Sequence, residues 1–433
     1  VSSPLSSARS GRRTAAAPVG GRRAAREAAA RHARRGRPAP GTPRHGRDRR
    51  RHRLLSKVGT GALGLVLFAG TGGALAYSDI QGNVDRQDIS ALLGDRPTGG
   101  AEAAPIDAKA GKALNLLVLG SDSRAGANDD HSGVDGMRAD TTMIVHVSAD
   151  RSRVEVVSIP RDALVDIPSC RLPNGTETRA ANGAMFNSAF SIGGQTGDVG
   201  AAAACTIRTV ENLTGVFIDD FVVVDFAGFI SVVDALGGVP MNVDQNINDR
   251  QADLYLTAGC QVLDGHNALG FARVRKSVGD GSDISRIGRQ QELVAAIARE
   301  ALGKNLLTDL PALYQFLDAA TSTLTTGPEV GQIPVLAGLA NSLRGIDPAS
   351  IAFATMPFDW AGARVRPAAE AADLWDALAA DLAIEGTLSG TGEAPVPATP
   401  SSPADEGTET PSAPADDGAV SAAPEPTTPA CTR

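Results

Sequence analysis

The sequence predicts an α/β sandwich, and three observations carry that prediction. Short apolar or alternating runs of strand length recur between residues 114 and 160; segments of helical period then interleave with further strand-like runs; and Gly, Pro and Asp mark the joins. LNLLVLG opens the folded part abruptly at Leu114 and ends in Gly-Ser-Asp. TTMIVHVS follows, and RVEVVSIP alternates and stops at Pro160, so all three read as strands. AAAACTIRTVENLTG has helical spacing and a glycine stop, and FIDDFVVVDFAGF is strand-like. GFISVVDALGGVPMNV passes from a helix through Gly237-Gly238 into another strand. In DISRIGRQQELVAAIAREALG, Ile287, Leu293, Ile297 and Leu302 recur at roughly helical spacing. A second helical region follows over Leu310 to Thr323, then IAFATMPF as a late strand and AADLWDALAADLA as a closing helix. No internal repeat is present.

The flanks of this domain are charged unequally. Residues 1–57 hold 17 Lys and Arg against Glu27 and Asp48, a net of +15, which leaves −23 on the remainder of a chain totalling −8. Between the two lies VGTGALGLVLFAGTGGALAY, Val58 to Tyr77, 20 residues without a charge, about the length that crosses a bilayer as a helix. Basic residues before it and acidic sequence after it orient the N-terminus to the cytoplasm and the folded domain outside. A cleaved signal peptide, with Ala74-Leu75-Ala76 as its cleavage site, is the competing reading, but the basic lead-in is far longer than such peptides carry. Residues 1–57 therefore read as a disordered cytoplasmic tail, 58–77 as an anchor, 78–113 as a polar stalk and 114–385 as the working domain. Residues 386–433, rich in Pro, Thr, Ala and acids, read as a disordered tail.

An extracytoplasmic location permits disulfides. Cys170 and Cys205 bracket a Gly-, Asn- and Ala-rich stretch that a bridge would restrain, which makes them the favoured pair; Cys260 and Cys431 are left over. No CxxC or HExxH occurs, so a zinc site is not expected. The basic tail reads as a topology determinant, and no nucleic-acid partner is expected.

Five clusters of Asp and Arg stand out against this frame: Asp122 with Arg124, Arg138 with Asp140, Arg161 with Asp162, Arg273 with Arg275, and Asp283 with Arg286 and Arg289. A single such cluster at a strand end is ordinarily a solvated ion pair; five in one domain point to a site. Arginine forks suit phosphate oxygens, and paired aspartates can hold a hard divalent cation between those oxygens, so the mixture predicts diphosphate chemistry. Arg273 and Arg275 would share one face if GFARVR were extended, with an intervening anion or pairing to Asp280 or Asp283 relieving their repulsion. Arg286, Arg289 and Gln290 fall in the first turns of a helix, whose amides also favour anions.

The ordered set LLVLGSDSR, RADTTMIVHV, VVSIPRD, FNSAF, TVENLTG, FVVVDFAGFISVVDALGGV, LDGHNALGFARVR and DISRIGRQQ resembles the LytR-CpsA-Psr family of membrane-anchored cell-wall enzymes. The resemblance runs from about Leu114 to Ala298. It implies a three-layer α-β-α sandwich around a mixed central sheet, and a phosphotransferase that moves a glycopolymer from a polyprenyl-diphosphate carrier onto peptidoglycan. Asp122 and Asp140 would hold Mg²⁺, and Arg138, Arg161 and Asp162 would act at the reacting phosphate. Arg124, Asn187, Arg273, Arg275, Arg286, Arg289 and Gln290 would bind the diphosphate, with membrane lipid adjoining. Phe186 and Ala139 depart from the family's usual residues without removing a charge. Asp162 or Asp140 would serve as general base; a carboxylate held on a metal is a poor one, which favours Asp162. The apolar run from Phe221 to Val239 could line a lipid groove, although any α/β core needs the same residues. A polyprenyl-diphosphate hydrolase using water as nucleophile, and a non-catalytic membrane regulator or glycan-binding module, are the alternative functions.

Overall fold

The computed structural model describes residues 71, 73–75, 78–94, 111–122, 137–275, 277–279, 281–303, 310–384 and 431. The chain divides into two units, residues 1–71 and 72–433, and all described residues but Thr71 lie in the second. The predicted basic tail, most of the predicted anchor, Arg124 and nearly all of the acidic tail lie outside the described residues. Among those described, no helix is long and apolar enough to cross a membrane.

Seven strands form a mixed central sheet. In chain order they begin with β1 (Asp85–Arg86), β2 (Leu114–Ser121), β3 (Ala139–Val147) and β4 (Val154–Ser158). A hairpin of β5 (Leu164–Ile167) and β6 (Ala181–Met185) stands apart, then β7 (Asp220–Val224) returns to the sheet. Two further pairs follow, β8 (Val239–Val243) with β11 (Gly259–Leu263) and β9 (Ile247–Asp249) with β10 (Leu254–Leu256). The sheet closes with β12 (Leu324–Thr326) and β13 (Ala352–Thr355), and β14 (Phe358–Ala361) with β15 (Arg364–Pro367) makes a last hairpin. Across the sheet the order is β1-β12-β7-β2-β3-β4-β13. β2 runs antiparallel to β3 and parallel to β7.

Alternation along these strands sends residues to two cores, one on each face. Leu117, Leu119, Ile144, Val157, Phe221 and Val223 enter the larger core. It is covered by α1 (Ser90–Leu93), α2 (Ser188–Gly193), α3 (Val199–Thr214) and the closing helix at 371–379. Met143, Val147, Val154 and Val156 face the other core with Val294, Leu339 and Phe353. A third cluster joins the segment 226–235 to the β8–β11 region. Helices thus cover both faces of a mixed sheet, as the resemblance implied.

Several local signals explain the elements. Asp198 caps α3 by accepting from the Ala201 amide, and Gly215 ends it in the left-handed conformation, φ 68°. Asp225 caps α4 (Phe226–Ala235) in the same way, so the run read as strand-like through Phe229 is β7 followed at once by a helix. Asp264 caps α5 (Gly265–Arg273); Arg273 therefore ends a helix instead of lying on an extended strand. The remaining helices are α6 (Asp283–Gly303), α7 (Leu310–Thr321), α8 (Ile333–Ser342) and α9 (Ala371–Ala379).

Part of the segment read as a stalk belongs to the domain: β1 pairs with β12, and Ile89 and Leu93 sit in the larger core. The Cys170–Cys205 bridge is present and buried, tying the segment after β5 to α3. Closing a loop of 35 residues stabilises by roughly 3–4 kcal/mol in the chain-entropy account. Cys260 and Cys431 pair as well, joining β11 to the described end of the tail.

Candidate functional site

A bulge places the first acidic residue. Gly120 pairs with Thr141 and Ser121 with Ala139, leaving Asp140 as the extra residue of β3. Ala139 and Ile144 both enter the larger core although five positions apart, because the bulge shifts the phase of the alternation. Such an extra residue leaves the ladder and aims its side chain elsewhere. Asp140 is half-buried and meets Arg161.

Arg161 arrives from the neighbouring strand. β4 ends at Ser158, Pro160 cannot continue a ladder, and Arg161 and Asp162 form the turn that leads into β5. Asn187, buried at the start of α2, donates its backbone amide to the Arg161 carbonyl at 3.1 Å. Arg161 Nη1 lies 2.7 Å from Asp140 Oδ1, and its Nε lies 3.2 Å from Asp283 Oδ1 and 3.5 Å from Asp162 Oδ1. Its amide also donates to Asp283 Oδ2 at 3.1 Å. One guanidinium is thus shared among three carboxylates.

Asp283 opens α6 and pairs with Arg286 one turn later, a contact that buries both side chains. Arg286 Nη2 also donates to the Asp140 carbonyl at 3.1 Å, so the helix is fastened to the bulge. Burial is the largest influence on Asp140 and pushes its pKa up, but the hydrogen bond and charge of Arg161, with Arg286 and Arg275, bring it below the usual carboxylate value. Arg161 moves in the matching direction, upward, as its carboxylate partners outweigh burial. For Asp283 burial prevails over both arginines and raises the carboxyl. Burial likewise lowers Arg286, with Arg161 and Arg275 adding repulsion.

Beside this cluster opens a cleft of about 170 Å³. Its lining includes Arg161, Asp162, Arg275, Ser282 and Asp283, together with Trp360 and Arg364 from the last hairpin. Arg275 follows the end of α5 and acts electrostatically on both Asp140 and Arg286, which brings it into the group.

The other predicted residues lie around this centre. Asp122 follows β2 directly, where its carboxylate accepts the Arg138 amide at 2.6 Å; the exposed Arg138 precedes β3. Arg273 is exposed and stands 4.5 Å above the Phe226 ring at the start of α4. Arg289 and Gln290 are buried and turn to the end of α5: Arg289 Nη2 donates to the Val274 carbonyl at 2.6 Å and Gln290 Nε2 to that of Ala272 at 3.3 Å. Their contacts hold the segment that carries Arg273 and Arg275. Gln291, not singled out in the sequence, fastens α6 to the sheet through Ser158, Ala354 and Thr355. Trp360 and Arg364 were missed too; the alternating FDWAGARVRP with its Gly362-Ala363 turn carried the hairpin signal, but no charge motif.

The order of these segments along the chain and their convergence at one cleft can be compared with known proteins. The LytR_cpsA_psr family model matches residues 78–379. The chain belongs to the LytR-CpsA-Psr family. A relative named probable cell wall biosynthesis protein LcpB, from Corynebacterium glutamicum, is 31% identical over 265 residues, 59% of this chain and 58% of that protein. A second protein of that organism, the cell wall biosynthesis protein LcpA, is 27% identical over 68% of this chain, again covering 58% of the relative. The polyisoprenyl-teichoic acid–peptidoglycan teichoic acid transferase TagU of Halalkalibacterium halodurans is 30% identical over 61% of this chain and 77% of its own length. Among solved structures, a LytR-Csp2A-Psr enzyme from Actinomyces oris is 21% identical with a TM-score of 0.48, covering 66% of this chain and 96% of that one. The matched region thus spans little more than half of the corynebacterial relatives.

The donor set around β2 and β3 suits a hard cation. Asp122 and Asp140 offer carboxylate oxygens at the same end of adjacent strands, and Mg²⁺ is commonly held by one or two carboxylates plus substrate phosphates. Among the described residues, no group of three or more His, Cys, Asp or Glu side chains forms a cage for a metal by itself.

Proposed function

We propose that this family member is a membrane-anchored phosphotransferase, which takes a glycopolymer from a polyprenyl-diphosphate carrier and joins it to peptidoglycan outside the cell. The observation that carries the reading is the sharing of Arg161 among Asp140, Asp162 and Asp283 at the edge of a cleft that Arg275 also lines. A diphosphate can take over guanidinium donors now spent on carboxylates, because charge-assisted bonds to phosphate are at least as strong and can be bidentate.

Arg161, Arg275 and Arg286 neutralise charge on the phosphoryl oxygens, the main requirement of this reaction class. Arg138 lies beside the same end of the sheet, and Asn187 steadies the backbone that presents Arg161. Asp162 removes the proton of an acceptor sugar hydroxyl. That oxygen bonds to the phosphorus next to the glycan, the bond from that phosphorus to the bridging oxygen breaks, and polyprenyl phosphate leaves with the electron pair. Asp122 and Asp140 would hold Mg²⁺, which supplies further neutralisation of the diphosphate.

The apolar helix α4 suits the lipid. Its fully buried residues are Gly228 and Val233, while Phe226, Phe229 and Ile230 are only half-buried, and Arg273 stands over Phe226. Lipid and phosphate contacts thereby meet at one helix end. The test is transfer of labelled glycan from a lipid-linked donor to peptidoglycan by the full chain. Replacing Arg161 or Arg275 with Ala is expected to lower transfer by about a hundredfold or more while the protein stays folded. Unchanged transfer in both would refute the assignment, and release of free glycan phosphate without peptidoglycan labelling would indicate a hydrolase.

A further inference from the structure

Besides Arg161, Asp162, Arg275 and the segment Gly281 to Ile284, the cleft is lined by Trp360, Ala363, Arg364 and Val365, all from the β14–β15 hairpin. We propose that this hairpin is the acceptor-sugar subsite, with the Trp360 ring stacked on a saccharide ring of peptidoglycan and Arg364 at the mouth. The inference rests on the transferase reading and specifies which substrate enters here.

The hairpin is built to hold a ring in one place. Four residue pairs, from Phe358 with Pro367 to Ala361 with Arg364, set its register, and Gly362 makes the turn at φ 69°. Val365 bridges in parallel to Ala163, the residue that follows Asp162, so the hairpin is registered directly against the reacting segment. Phe358 meets the indole edge-on, with ring centres 5.5 Å apart and planes at 88°, which fixes the plane of Trp360. The Trp360 Nε1–H is buried and finds no partner among the described residues, an unspent donor beside the cleft.

Size and position choose the ligand. At about 170 Å³ the cleft is smaller than the roughly 300 Å³ and upward of sites for drug-sized molecules, a size that suits a single ring-sized group. Asp162 lines the same space. A hydroxyl that gives its proton to Asp162 must come within about 3 Å of it, so the ring beside Trp360 is the attacking sugar and not the sugar already attached to phosphate.

Tryptophan fluorescence offers a test that does not depend on turnover. The chain has two tryptophans, and Trp375 is sealed in the core at 4% exposure, so a saccharide-dependent change reports Trp360. Titrating the full chain with the peptidoglycan disaccharide is expected to give a saturable change that disappears in Trp360→Phe. In transfer assays Trp360→Ala should raise the acceptor KM about tenfold and leave the donor KM unaltered, whereas Arg366→Ala, on the same hairpin but outside the cleft lining, should change neither. No fluorescence response in the unaltered chain, or a rise in donor KM instead of acceptor KM, would overturn the proposal. Failure of the unaltered chain to transfer any glycan would sink the transferase reading alone, since the titration still decides whether Trp360 binds the sugar. Melting temperatures of the variants guard against misfolding.

Discussion

Strand β3 carries a polar cluster at each end, and the two behave in opposite ways. At its start, Asp140 joins Arg161, Asp162 and Asp283 beside an open cleft. Near its far end His146, fully buried, places Nδ1 2.6 Å from Asn115 Oδ1 and Nε2 3.1 Å from Asp381 Oδ1. Asp381 also accepts from the Ala149 amide and from Arg153, which in turn holds Glu155 at 2.6 Å. Both clusters mix acids with arginine. What separates them is what each faces: the second joins the sheet to the turn after α9, whereas the first leaves Arg161, Asp162 and Arg275 on a surface that a ligand can reach. Charge in an α/β domain becomes a site when its partners are exchangeable and a cavity adjoins; otherwise it is a fastening.

The sharpest way to probe the boundary between the two behaviours is Arg286, which belongs to the cleft cluster yet is buried like a fastening. Arg286→Ala leaves Asp283 buried without its nearest cation and should destabilise the fold by about 3–5 kcal/mol in denaturant unfolding. A loss below about 1 kcal/mol would mean that Arg286 serves only the ligand.

Asp381→Ala cuts the fastening at the far end of β3. The expected loss is about 1.5–3 kcal/mol, with transfer activity retained. Its pKa is held below the ordinary value: burial, the largest influence, is outweighed by the Ala149 amide, His146 and Arg153 together. A carboxylate of lowered pKa adds stability above its unfolded pKa and loses it as pH falls through the folded one. The difference between the unaltered chain and Asp381→Ala should therefore shrink below about pH 4.

Asp220 gives a pH slope of the opposite sign. It is closed off like the His146 cluster but accepts from three backbone amides, those of Phe221, Glu329 and Val330. Gly327 is required over it, since a Cβ there would collide with the carboxylate. Burial is the dominant influence and pushes its pKa up to about 6. The folded state then binds the proton more tightly than the unfolded chain, so this group's contribution falls as pH rises from about 4 to about 6, by no more than about 1.4 kcal/mol per pH unit. Asp220→Asn should flatten that part of the stability profile.

Much of this was legible in the sequence because the strands around the site are strongly apolar and end in Gly-Ser-Asp or Pro. Those endings fixed where Asp122 and Arg161 would stand. The Asp140 bulge was not legible, since it is a property of the register between β2 and β3 and not of either strand alone. Whether GFARVR is extended stays open until the Asp264 cap is weighed, which starts a helix that carries through to Arg273. Arg289 and Gln290 have the residue types of a phosphate site, but the helical turn points them at α5 carbonyls. Asp283 reads as one cluster with Arg286 and Arg289, and its pairing with Arg286 is found; its second partner, Arg161, comes from a distant segment. Long-range pairing decided each of these.

Binding of a short-chain polyprenyl diphosphate, measured by calorimetry in the presence of Mg²⁺ on the full chain, tests the contrast most directly. Arg161→Ala should weaken binding about a hundredfold, and Arg153→Ala should lower the melting temperature and leave binding intact. Equal binding by the unaltered chain and Arg161→Ala, or equal loss in both variants, would contradict the separation of a diphosphate site at one end of β3 from a fastening at the other.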